Sequence, residues 1–197
     1  MERRNFISGA VAVLAAPLAA EAQPAGRVHR IGFLGNTTPA LEANLVGPFR
    51  EGLRELGYVE GQNIVIEYHW AEGKYERAPS LLAELLARKV EVIVTAGTPT
   101  SLAAQKATTS VPVVVVGVGD PVATGLVASL ARPGGNITGL TSIGEALEGK
   151  RLELLREVVP KVSNVAVLWN PVNPVLKRVL DELQAAAART PIRLPTE

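Results

Sequence analysis

Small polar residues gather at four places in this chain, each where an apolar run stops and a helical pattern begins. Asn36 and Thr37 stand at the first, and Thr98, Thr100 and Ser101 at the second. Asp120 follows Gly117-Val118-Gly119, and Asn170 follows Trp169. Side chains of these types hold a small molecule by hydrogen bonds. At the second place Thr98 suits an N-cap and Pro99 the first helical position, with hydroxyls following at Thr100 and Ser101. Such a helix start can hold a carboxylate without any basic side chain, because unpaired N–H groups and the helix dipole favour an anion. Plain capping with no ligand fits the same residues. Asp120, just before Pro121, fits a helix cap, an acceptor for a ligand ammonium or hydroxyl, or both at once. Trp169 fits a stacking platform and an ordinary core residue equally well.

Covalent or acid–base chemistry finds fewer supports. There is no Gly-x-x-x-x-Gly-Lys-Ser/Thr loop, and no Gly-x-Gly-x-x-Gly follows the first strand. Gly117-Val118-Gly119 lacks the third glycine and comes after the wrong strand. The two histidines, His29 and His69, lie far from any Ser in a nucleophile–base pattern, and cysteine is absent. Neither a metal site nor a cofactor is expected, since two separated histidines give no tight ligand spacing. A carboxylate pair that meets only in space stays open, so a small α/β hydrolase or transferase is the alternative reading.

The elements that must position these residues alternate. Val28–Leu34 is a short apolar strand, and Leu41, Leu45, Val46, Phe49, Leu53 and Leu56 recur at helical spacing up to Gly57. Asn63–Trp70 alternates as a second strand, and Tyr75, Ala78, Leu81, Leu82, Leu85 and Leu86 mark a second helix. Glu91–Thr95 and Val111–Val118 are further strands. The unbroken row Val113–Val116 has no polar face, as in a strand covered on both sides. The order predicts a parallel α/β sheet in three layers. The glycine-rich stretch 133–142 reads as a loop and as a boundary between a first lobe, 23–135, and a second, 136–197. Beyond it a helix at 145–158, a strand Asn164–Trp169 and a helix at 174–188 are expected, and 191–197 resembles the start of another strand. Asp120-Pro121 is also expected to open a helix.

Residues 1–22 look like a secretory signal. Arg3 and Arg4 precede an apolar stretch, Ala10–Ala20, which falls short of the ~20 residues that span a bilayer. Ala20-Glu21-Ala22 offers small residues for cleavage, and Arg3-Arg4-Asn5-Phe6-Ile7 resembles a twin-arginine signal. The net charge of +1, from 20 basic and 19 acidic residues, gives no nucleic-acid footprint.

Several longer blocks resemble a known family. Phe49–Asn63 (FREGLRELGYVEGQN), Trp70–Gly73, Gly119–Val122, Leu126–Gly139 and Val165–Pro171 are similar to bacterial ABC-transporter substrate-binding proteins of the tryptophan/tyrosine-binding-like kind. The resemblance runs from about Arg30 to Ala187. It implies a type I periplasmic-binding-protein fold of two α/β lobes that closes on a small ligand, an amino acid or a related compound. That ligand would be delivered to a membrane permease without chemical change. It places ligand-facing loops around Asn36, Thr98, Thr100, Asp120 and Asn170. It also implies another ~120 residues, ordinary for a two-domain protein, so the first lobe is expected nearly complete and the second partial. Apolar surface left uncovered would then favour self-association, and a remnant that binds nothing is a further alternative.

Overall fold

The computed structural model describes residues 27–142 and 144–195, so the segment read as an export signal lies outside the described residues. Five strands form one sheet: β1 (His29–Gly35), β2 (Ile64–Trp70), β3 (Val92–Ala96), β4 (Val113–Gly119) and β5 (Ile137–Ser142). All neighbours are parallel and the order is β2-β1-β3-β4-β5. Alternation along each strand divides the apolar side chains between two faces. On one face, helix α1 (Ala43–Glu55) packs Val46, Phe49 and Leu53 against Phe33, Ile64, Ile66 and Val94. On the other, α2 (Ala78–Ala87) and α3 (Thr98–Ala107) cover Leu34, Ile93, Val113 and Val115 with Leu81, Leu82, Leu85 and Ala104. Leu34, Leu82, Leu85 and Ile93 are fully buried, each contributing about 1.5–3 kcal/mol by removal from water. The three-layer parallel arrangement is the one expected. The valine run in β4 shows why: Val113 and Val115 join one core, whereas Val114 packs on the other.

The stretch 133–142 departs from the sequence reading. Its second half, expected as loop, is strand β5 along the edge of the sheet. Its register with β4 shifts between Val115 and Val118, where Gly117 takes a positive φ of 64°. Gly139 is the reason a glycine sits inside this strand. A Cβ there would lie 1.9 Å from the Val115 carbonyl oxygen, so only a bare backbone can approach β4 so closely.

Beyond β5, a short 3-10 turn (Gly144–Leu147) leads into α4 (Glu148–Val158), and α5 (Pro174–Ala187) follows later. Leu152, Leu183, Ala187 and Ile192 form a separate small core between them. The strand expected at Asn164–Trp169 does not form. Only a single parallel bridge joins Asn164 to Arg193, through Arg193 N–H to Ser163 O (2.7 Å) and Val165 N–H to Arg193 O (3.0 Å). Val165 and Val167 do pack inward on the α4–α5 core, but Leu168 is completely exposed. Alternation alone makes no strand without a neighbouring ladder, and here one residue of the 191–197 segment supplies it. The helix expected after Asp120 is likewise only a run of turns over 121–125.

Candidate ligand crevice at the carboxyl ends of the strands

From β1 the chain crosses one face through α1 to reach β2, then the other face through α2 to reach β3. Neighbouring strands β1 and β3 therefore send their connections to opposite faces, which opens a crevice beyond their carboxyl ends. The Asn36 side-chain amide bridges it, donating from Nδ2 to the Ala96 carbonyl. Asn36 Oδ1 is buried and has no hydrogen-bond partner among the described residues. The backbone of the same loop is pinned from β2 by Gly73 N–H to Asn36 O (2.8 Å) and Glu72 N–H to Thr37 O (3.0 Å).

On the β3 side, Gly97 rather than Thr98 is the N-cap of α3, with a positive φ of 77°. A Cβ at Gly97 would meet Asn36 Nδ2 at 2.7 Å, so the glycine both turns the chain and admits the bridge. Thr98, released from capping, accepts the Gly119 N–H through Oγ1 at 3.2 Å and so ties the β3 end to the β4 end. Its own hydroxyl proton has no acceptor among the described residues. Thr100 and Ser101 are fully buried. Thr100 Oγ1 donates to Ala96 O (2.9 Å) and accepts from Thr95 Oγ1 (2.7 Å), and Ser101 Oγ donates to Gly97 O (2.6 Å). These two hydroxyls build the wall that aims the α3 N-terminus.

Asp120 stands at the end of β4 with a positive φ of 24°, a left-handed-side conformation that Asp tolerates better than most residues. Oδ1 accepts Ala123 N–H (2.9 Å), and Oδ2 pairs with the Arg178 guanidinium on α5 (2.6 Å). The Ala123 hydrogen bond first, and Arg178 second, hold its carboxyl below the ordinary range. Both oxygens are thus engaged, and the pair links α5 to the sheet. Trp169 is half-buried and Asn170 exposed. Asn170 Oδ1 accepts from Val172 N–H (3.1 Å), a local turn. Among the described residues no hydrogen bond, ion pair or ring contact joins either residue to the crevice. The fold thus brings Asn36, Thr37, Thr98 and Asp120 to one end of the sheet, with Thr100 and Ser101 behind.

Sequence reasoning missed Glu42. Expected only as part of a helix, it is 6% exposed and turns back under its own loop. Oε1 accepts both Thr37 N–H (2.6 Å) and Thr37 Oγ1–H (2.8 Å), whereas Oε2 is buried without a partner. Oε2 and the Trp70 ring crowd the space above Gly35, where a Cβ would lie 2.6 Å from the oxygen and 2.3 Å from the ring. A buried carboxylate oxygen left unpaired costs free energy, on the order of 1–3 kcal/mol or more. The only sequence signal was an acid among small and apolar residues just before a helix.

A parallel three-layer sheet with a polar crevice at its switch point is the arrangement of a small-molecule binding lobe. The chain belongs to the ABC transporter substrate binding protein family, whose model matches residues 37–196. It is 33% identical over 151 residues to a tyrosine-binding protein of Clostridioides difficile, covering 77% of this chain and 43% of that protein. A conserved domain protein from Vibrio cholerae superposes with a TM-score of 0.77 at 31% identity, over 85% of this chain and 56% of that one. An ABC domain from Streptococcus pneumonia in complex with L-Trp superposes with a TM-score of 0.74 at 26% identity, over 86% and 57%. The chain spans about half the length of these relatives.

Proposed function

We propose that this protein captures a small solute, an aromatic amino acid or a related compound, and hands it unchanged to an ABC permease in the membrane. The observation that carries this reading is the crevice between β1 and β3, floored by the N-terminus of α3. In the proposed complex the ligand carboxylate lies on the α3 N-terminus and the Thr98 hydroxyl, where N–H groups and dipole favour an anion. Asn36 and Thr37 face it from the β1 loop, Thr100 and Ser101 shape the floor, and Asp120 closes the β4 side. Trp169 and Asn170 belong to the segment after α4 that would approach from the opposing lobe, the division falling near residue 135. Relatives that bind tyrosine and L-Trp support the choice of ligand class.

Members of this family work outside the cytoplasm. For this chain the proposal adds export directed by residues 1–22, with cleavage after Ala22. Apolar side chains that stand open, Leu130, Leu140, Leu154 and Leu168 among them, favour self-association of the chain. A thermal-shift screen of amino acids tests the central reading, since a ligand that binds only the native state raises apparent stability by mass action. An aromatic amino acid should raise the midpoint, and mass spectrometry should recover it unchanged. Reproducible conversion that disappears in Asp120→Asn would favour the hydrolase or transferase alternative, and no shift with any compound would favour a non-binding remnant.

A further inference from the structure

We infer that the β1 end of the crevice is an acceptor-rich subsite, organised by Glu42, that takes the ammonium group of the ligand. The inference rests on the crevice being a ligand site and adds which way round the ligand lies. Glu42 uses one carboxylate oxygen to receive both the N–H and the hydroxyl of Thr37. A hydroxyl has a single proton, so Thr37 Oγ1 is left with lone pairs alone to offer. The second Glu42 oxygen and Asn36 Oδ1 are buried acceptors without partners. One of the two Asn36 Nδ2 protons goes to Ala96 O across the crevice, which fixes the amide so that Oδ1 lies on the side away from that carbonyl.

The β3 side has the reverse polarity. Thr98 Oγ1 is an acceptor toward Gly119 N–H, which leaves its proton available beside the first turn of α3. Strands β1 and β3 are direct neighbours, ~4.8 Å apart. A donor-demanding end and an acceptor-demanding end on adjacent strands suit a zwitterion whose two charged groups share one carbon. Two other acids stand near the strand ends, Glu72, which pairs with Arg77, and Asp120, whose two oxygens Ala123 and Arg178 engage. Glu42 acts through Thr37 and through its charge, so it is a positioning residue.

The test compares L-tryptophan with indole-3-propionate, which keeps the carboxylate and ring and lacks the ammonium, on the full chain by calorimetric titration. The native protein should prefer L-tryptophan by about tenfold or more, the scale of one charge-assisted hydrogen bond. Glu42→Gln keeps an oxygen for Thr37 while removing the charge and placing a donor among the acceptors. The preference should then fall about tenfold, with indole-3-propionate held as well as before. Equal weakening of both compounds would mean a merely structural Glu42 and would overturn the inference. Thr37→Val supplies the same comparison if Glu42→Gln does not fold, and it too should lower the preference rather than both affinities. Equal affinity of the native protein for the two compounds would overturn the acceptor subsite and leave the ligand site standing. Binding of neither would overturn both.

Discussion

At the scale of single residues, the crevice depends on side chains whose hydrogen bonds are already made. Gly35 is the tightest point, because any Cβ there meets the Trp70 ring and Glu42. Gly35→Ala should destabilise the protein by about 1–3 kcal/mol, as overpacking does, read as a lower midpoint in urea. Thr100→Val removes a buried hydroxyl that Thr95 and Ala96 both use, and should cost on the order of 1–3 kcal/mol. Asp120 makes a pH prediction. Its folded-state pKa lies below the ordinary carboxylate value, so its contribution is present above that value and is lost as pH falls through the folded pKa. Because both partners of the pair with Arg178 keep contact with solvent, the contribution should be no more than about 1 kcal/mol. The stabilities of the native protein and Arg178→Ala should therefore differ near neutral pH and converge in acid. A difference that persists undiminished well below the carboxylate range would contradict this assignment.

At the scale of elements, four strands and five helices follow from periodicity and composition. The apolar rows of β1, β3 and β4 can be buried only inside a covered sheet, and the leucines of α2 recur at helical spacing. Besides the helix expected after Asp120, two elements were misread, for opposite reasons. β5 was hidden by Gly139 and by the Gly134-Gly135 pair just before it, residues that ordinarily mark loops, although Gly139 here permits close approach to β4. Asn164–Trp169 has the alternation of a strand, yet lacks a ladder partner, a tertiary fact that no local pattern carries. The polar loops were legible because they sit at predictable strand ends. What each side chain does there was less so: capping fell to Gly97, Thr98 became a tie to β4, and Glu42 emerged only when the loop folded over it. Gly139→Val should detach β5, since the clash is with backbone and cannot be relieved by a rotamer change. Hydrogen exchange should then quicken along Ile137–Ser142, and unchanged protection there would contradict the close-approach argument.

At the scale of the whole molecule, three cores organise the described residues, one on each face of the sheet and one between α4 and α5, with the Asp120–Arg178 pair among the ties between the sheet and α5. The apolar side chains left open predict concentration-dependent association, visible as a rising mass in light scattering; a monodisperse monomer at high concentration would contradict it. The central claim is that the crevice binds an aromatic amino acid and does no chemistry on it. Isothermal titration of the purified chain with L-tyrosine and L-tryptophan, followed by mass spectrometry of the recovered ligand, tests this most directly. The account predicts saturable binding of at least one of them, weakened by Thr98→Val, with the ligand returned intact. Absence of binding for both up to their solubility limits, or recovery of a converted product, would contradict it.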